Sequence, residues 1–128
     1  MAISNSILLV LTLHFVADFT LQGLFKNLKC KDWWIRELHE LNYCVYHGSK
    51  YKHDYKCALI LHGLYWSLVT YAPIWYFASD WTAGAAVAVN ACVHAVIDHF
   101  KCNRYALNLV EDQVLHFMQI TITWALFN

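Results

Sequence analysis

The chain has one Pro and four Gly in 128 residues, which leaves no room for a flexible linker or a low-complexity segment. Charge is equally scarce. Asp, Glu, Lys and Arg make up 14% of the residues, against about a quarter in a soluble domain. The formal net charge is zero, so no basic field invites nucleic acid. No CxxC pair occurs among the five Cys (Cys30, Cys44, Cys57, Cys92, Cys102). Their odd number, without a cleavable signal, argues against a disulfide framework and for small apolar residues or free thiols in a reducing compartment. No G-x-S-x-G, H-E-x-x-H or phosphate-binding Gly loop is present, so no standard nucleophile or nucleotide site competes for attention. No repeat at solenoid period is visible, and the length allows a single domain spanning 1–128.

Apolar residues fill the space these absences leave, at 59% of the chain. They gather in four stretches, 7–25, 57–77, 83–100 and 112–127. Each is close to the roughly 20 residues that cross a hydrocarbon core of about 30 Å at 1.5 Å per residue. The first contains no Lys or Arg, unlike a signal peptide. Pro73 predicts a kink near the far end of the second. The connection 26–56 is the long one, and Trp34, Ile35, Leu38, Leu41 and Val45 fall at helical spacing within it. The expected fold is therefore all-α: a transmembrane four-helix bundle with an interfacial amphipathic helix between the first two spans.

All nine Lys and Arg lie in 26–56 or in 101–111. Alternating spans put these two links on one side, and the positive-inside rule makes that side cytoplasmic. The expectation is a bacterial inner-membrane protein with both termini outside the cytoplasm. Trp33 and Trp34 suit the inner boundary; Trp75, Tyr76, Trp81 and Trp124 suit the outer one.

Every span carries polar groups that lipid makes costly, an Asp at mid-membrane costing on the order of 3 kcal/mol. His14/Asp18, His94/Asp98 and Asp112/His116 are each four apart and so share a helix face, and His62 lies near the cytoplasmic end of the second span. In the expected topology all seven fall in the cytoplasmic half of the bilayer, within about 15 Å along the normal. A His/carboxylate set without thiolates suits a divalent metal, Zn first and Fe or Mn as alternatives. His14, Asp18, His62, His94, Asp98, Asp112 and His116 are the candidate ligands, with Asp18, Asp98 and Asp112 as candidate general bases. Lys101 and Arg104, at the mouth, would contact an anionic head group. Gln22, Asn90, Gln119 and Thr123 read as hydrogen-bond glue between helices, and His39, His47 and His53 as surface residues.

The motifs "LHFVADFTLQ" and "EDQVLH", with His62 and His94-x3-Asp98-x2-Lys101, resemble the bacterial and phage membrane-protein family known as domain of unknown function number 3307. The resemblance runs from Leu9 to Leu126 and implies a small multi-helix membrane protein; it implies no activity. Members often carry another His one turn after the equivalent of His62, where Trp66 stands here, and 26–56 is longer than usual. The expected function is a metal-dependent membrane hydrolase of a lipid or phosphoester. One alternative is a non-enzymatic, metal-stabilised protein that binds a membrane-protein partner or its own copies, such as a phage-encoded modifier of the host envelope. The other is a proton or metal conductor.

Overall fold

The computed structural model describes residues 3–23, 25–40, 51, 53–78 and 80–127. Its elements are α1 (Ile3–Phe15), a π-helical turn (Val16–Thr20), α2 (Phe25–Leu28), α3 (Lys31–Glu40), α4 (Asp54–Thr70), α5 (Ala72–Ala78), α6 (Trp81–Cys102) and α7 (Leu109–Leu126). No strand occurs among the described residues, so the all-α expectation holds.

Local chemistry sets the helix ends. The first helix stops short of its expected end at 25, because the chain widens into the π turn, where Leu21 N–H bonds Val16 O at 2.9 Å, and then reverses at Gly23 (φ 47°). The second apolar stretch is two helices bent by 59°. The break falls at Tyr71, two residues before Pro73, whose ring cannot extend the preceding helix. The Asp80 carboxylate caps α6 by accepting from Ala83 N–H at 3.1 Å. A reciprocal Asn108/Glu111 box starts α7 three residues before the expected 112.

Among the described residues, α6 alone is long and apolar enough to cross a membrane; α4 with α5 passes only as a bent pair. The apolar helix around the first stretch, Ile7–Thr20, is shorter. Of the helix expected through Trp34, Ile35, Leu38, Leu41 and Val45, the part up to Glu40 is observed as α3, whose Trp34 Nε1–H bonds Leu28 O at 2.6 Å. The remainder of that expectation, with Cys44 and His47, lies outside the described residues.

The helices pack polar groups inwards and apolar groups outwards. Val10, Ala17, Trp66, Val87 and Ile120 form a small apolar core. Around it all four of His14, His62, His94 and His116 are fully buried, while Leu8, Ile60, Val96, Val110 and Ile122 are more than half exposed. The closest seam lies between α4 and α6, where Gly63 meets Ala91 and Ala95. In the half of the bundle away from the lysines, Asn90 Nδ2 donates to Thr123 Oγ1 (3.0 Å), Tyr71 OH donates to Asn90 Oδ1 (2.9 Å), and Gln119 Nε2 donates to Asn90 O (2.8 Å). Asn90, Gln119 and Thr123 are thus the glue expected of them, Tyr71 joins them unexpectedly, and Gln22, expected with them, lines a cleft at the other end of the bundle.

The Cys residues depart from expectation. Cys30 and Cys102 form a disulfide, with Cα atoms 5.4 Å apart and a sequence separation of 72. Spacing alone could not reveal it, since it depends on α2 folding back onto the end of α6. Cys57 and Cys92 are free and exposed.

Candidate metal centre

Helical spacing of four explains how the site assembles. His14 and Ala17–Asp18 lie on the buried side of α1 and its π turn, His94 and Asp98 on that of α6, and Asp112 and His116 on that of α7. The π turn matters for Asp18. Such bulges redirect side chains locally, and this one sets the Asp18 carboxylate beside α4 and α6.

At the centre, His62 Nε2 and His94 Nε2 are 3.2 Å apart. Asp18 Oδ1 lies 4.0 Å from the first and 3.9 Å from the second. Ligand atoms of a tetrahedral zinc ion stand about 3.3 Å apart, given zinc–ligand bonds of roughly 2.0–2.1 Å. Asp18, His62 and His94 thus form a buried triplet whose donor atoms lie within 4.8 Å of one another, as do those of the overlapping triplet His94, Asp98 and His116. Asp98 Oδ2 sits 3.3 Å from His62 Nε2 and 3.5 Å from His94 Nε2. The His62 and His94 Nδ1 atoms and both His116 ring nitrogens are buried without a hydrogen-bond partner. A cation held by the His62 and His94 Nε2 atoms would not reach their Nδ1 atoms, so of these four nitrogens one on His116 is the one whose desolvation cost a bound cation would relieve.

Two of the seven expected ligands do other work. His14 Nδ1 accepts from Trp66 Nε1–H at 3.0 Å, and its Nε2–H faces Gln113 Oε1 at 3.2 Å. Both nitrogens are therefore engaged, and His14 stands outside both triplets. The Gln113 amide in turn donates to Asp18 Oδ2 (3.2 Å) and Asp112 Oδ2 (3.1 Å), so the chain from Trp66 through His14 aims a donor at Asp18. Asp112 accepts from Lys101 Nζ at 2.5 Å and also stands outside the triplets. Lys101 lines the site as expected. Arg104 is exposed and does not line the cleft.

Sequence reasoning missed three participants. Lys29, only 6% exposed, donates to Asp98 Oδ2 at 2.6 Å. It looked like one more basic residue of a polar link, and nothing in its spacing marked it. Gln113 was visible inside "EDQVLH" but given no role. Trp66, flagged only as a missing His, stacks on His94 with ring centroids 4.1 Å apart.

A cleft of about 260 Å3 opens onto this centre, lined by Asp18, Phe19, Gln22, Lys26, Asp98, Lys101 and Gln113. It brings one carboxylate of each triplet to a surface that also carries two ammonium groups. Comparison with protein-family models, with curated proteins and with solved structures finds no match.

Proposed function

We propose that this chain is an integral membrane protein that binds a divalent metal, zinc first, through Asp18, His62 and His94. In this reading it is a metal-dependent hydrolase of a lipid or phosphoester at the membrane face. The observation that carries the reading is the Asp18–His62–His94 triplet, in which both histidines are fully buried and the Asp18 carboxylate lines an open cleft: three protein donors with one of them at an open side suit catalytic rather than structural zinc. A metal there would supply an activated water. Asp98, beside both histidines, is placed to accept a proton. Gln113 holds Asp18 in place, and Lys26 and Lys101 at the cleft suit an anionic phosphoryl group.

The membrane assignment is supported by the distribution of side chains, with charged and imidazole groups inside and Leu, Ile and Val outside, the reverse of a soluble bundle. In this reading α1 with its π turn, α4 with α5, α6 and α7 are the four spans, with the lysine-rich links in the cytoplasm.

The second reading is a structural metal in a non-catalytic membrane protein. It takes the other triplet, His94, Asp98 and His116, and is favoured by the two buried His116 ring nitrogens that have no hydrogen-bond partner. Elemental analysis of detergent-purified wild type beside Asp18→Ala and His94→Ala tests the centre: about one metal per chain is expected in the wild type and none in His94→Ala. A metal-free wild type with variants of unchanged stability rejects it. Asp18→Ala separates the readings, because it removes metal only if Asp18, His62 and His94 are the site.

A further inference from the structure

The disulfide lies beside the metal centre, and its two cysteines are the sequence neighbours of the two lysines that reach site carboxylates. Lys29 Nζ is 2.6 Å from Asp98 Oδ2, and Lys101 Nζ is 2.5 Å from Asp112 Oδ2. Cys30 and Cys102 follow these lysines directly and are bonded to each other. Asn103 completes the strap: its Oδ1 accepts from Lys31 N–H at 2.6 Å and its Nδ2 donates to Lys29 O at 3.0 Å. Residues 29–31 are thus fastened to the end of α6 by one covalent bond and two hydrogen bonds, and the fastening aims the Lys29 ammonium at Asp98.

Asp98 belongs to one metal triplet and touches both histidines of the other. An ammonium and a divalent ion in this small buried space repel each other, and the low local dielectric strengthens that repulsion. Lys29 therefore occupies the charge position a metal would take. We propose that Cys30–Cys102 is a thiol–disulfide exchange site whose oxidised form holds Lys29 on Asp98 and thereby lowers the affinity of the centre for a metal ion. The proposal rests on the metal reading above.

The chemistry needs a dithiol partner. One of its thiolates attacks a disulfide sulfur, the Cys30–Cys102 bond breaks, and a mixed disulfide forms. The partner's second thiolate then closes its own disulfide, and the two protons end on Cys30 and Cys102 as thiols. Both cysteines are partly exposed, so a partner can reach them. With the lysine-rich links in the cytoplasm, the pair faces a compartment where disulfides are transient and regulatory rather than permanent.

The test uses the full chain in detergent, oxidised or reduced with dithiothreitol and desalted without oxygen. Thiol titration checks that reduction adds two thiols. Zinc affinity is then read against a chromophoric chelator, and acylation of Lys29 in zinc-free protein is read by peptide mass spectrometry. Reduction is expected to tighten zinc binding at least tenfold and to speed Lys29 acylation by a similar factor. Cys30→Ser/Cys102→Ser is expected to show the tight value in either condition, and so is oxidised Lys29→Met. Equal zinc affinity in the oxidised and reduced chains overturns the proposal and leaves the metal centre standing. A gain seen in reduced wild type and absent from the double serine variant also overturns it, because zinc then sits on the freed thiols. No zinc binding in any form overturns the metal centre and this proposal together.

Discussion

The Ala91 carbonyl of α6 passes so close to Gly63 of α4 that a Cβ at Gly63 would lie 2.5 Å from the oxygen. Backbone cannot retreat the way a flexible side chain can, and Ala95 closes the same seam at 3.3 Å. This close approach brings His62 and His94, one residue before Gly63 and one before Ala95, to within 3.2 Å. Gly63→Ala is expected to cost about 1–3 kcal/mol through overpacking and to weaken metal binding with it. Gly84, in the first turn of α6, has no heavy atom within 4 Å of its Cβ position. Gly84→Ala should raise stability by about 0.5–1 kcal/mol through helix propensity. Thermal unfolding in detergent compares the two, and a Gly63→Ala protein as stable as wild type would refute the seam.

Lys29 and Asp98 are both nearly inaccessible and form an ion pair across 69 residues. Removing one partner of such a pair leaves a buried, uncompensated charge, so Lys29→Met is expected to lose about 3–5 kcal/mol in metal-free protein. Pairing it with Asp98→Asn should recover most of that loss. Chemical unfolding of the four proteins closes the double-mutant cycle; additive single losses would show that the two side chains act independently.

The sequence was most informative where period and chemistry coincide. Four-residue spacing on α1 with its π turn, α6 and α7 placed six ionisable side chains inside the bundle, His62 on α4 made a seventh, and all seven are buried. Pro73 foretold the bend, and Gln119 and Thr123 each bond Asn90 as glue. Spacing says which face a residue occupies but not which neighbour claims its hydrogen bonds. His14 and Asp112 therefore read as ligands, although Trp66 with Gln113 and Lys101 hold them. The same limit hid Lys29 and the Cys30–Cys102 bond. Both depend on Gly23 reversing the chain so that α2 returns to the end of α6, a tertiary event with no periodic signature.

Trp66 fixes the His14 tautomer by donating to Nδ1, which turns the Nε2 proton towards Gln113 and the Gln113 amide towards Asp18. Trp66→Phe keeps an aromatic ring near His94 but leaves the buried His14 Nδ1 without a donor, at an expected cost of about 1–3 kcal/mol. If His14 only positions others, the bound-metal stoichiometry of Trp66→Phe and of His14→Gln should match wild type, while His62→Ala should lose the metal. Metal analysis of the three variants decides it, and metal lost from His14→Gln would make His14 a ligand after all.

Two surface groups give the fold opposite pH sensitivities. The Asp80 carboxyl is held below its ordinary value of 3.8, chiefly by the hydrogen bond from the Thr82 hydroxyl (2.5 Å) and then by that from Ala83 N–H. Its contribution to the start of α6 is present above pH 3.8 and is lost as pH falls through the lower folded-state value. The Tyr105 hydroxyl donates to the Asp32 carboxylate, tying the link after α6 to α3, and that bond raises its pKa above the ordinary 10.0. Its contribution is complete below pH 10 and is lost as pH rises through the higher folded-state value. Melting temperatures of wild type, Asp80→Ala and Tyr105→Phe across pH therefore separate the two. The gap between wild type and Asp80→Ala is expected to be constant near neutrality and to close in acid. The gap to Tyr105→Phe should persist in acid until Asp32 is protonated and should narrow above pH 10, where the phenolate has no proton to donate. An Asp80→Ala gap that stays constant down to the lowest pH at which the protein folds would mean that the cap works without its charge, through the hydrogen bonds alone.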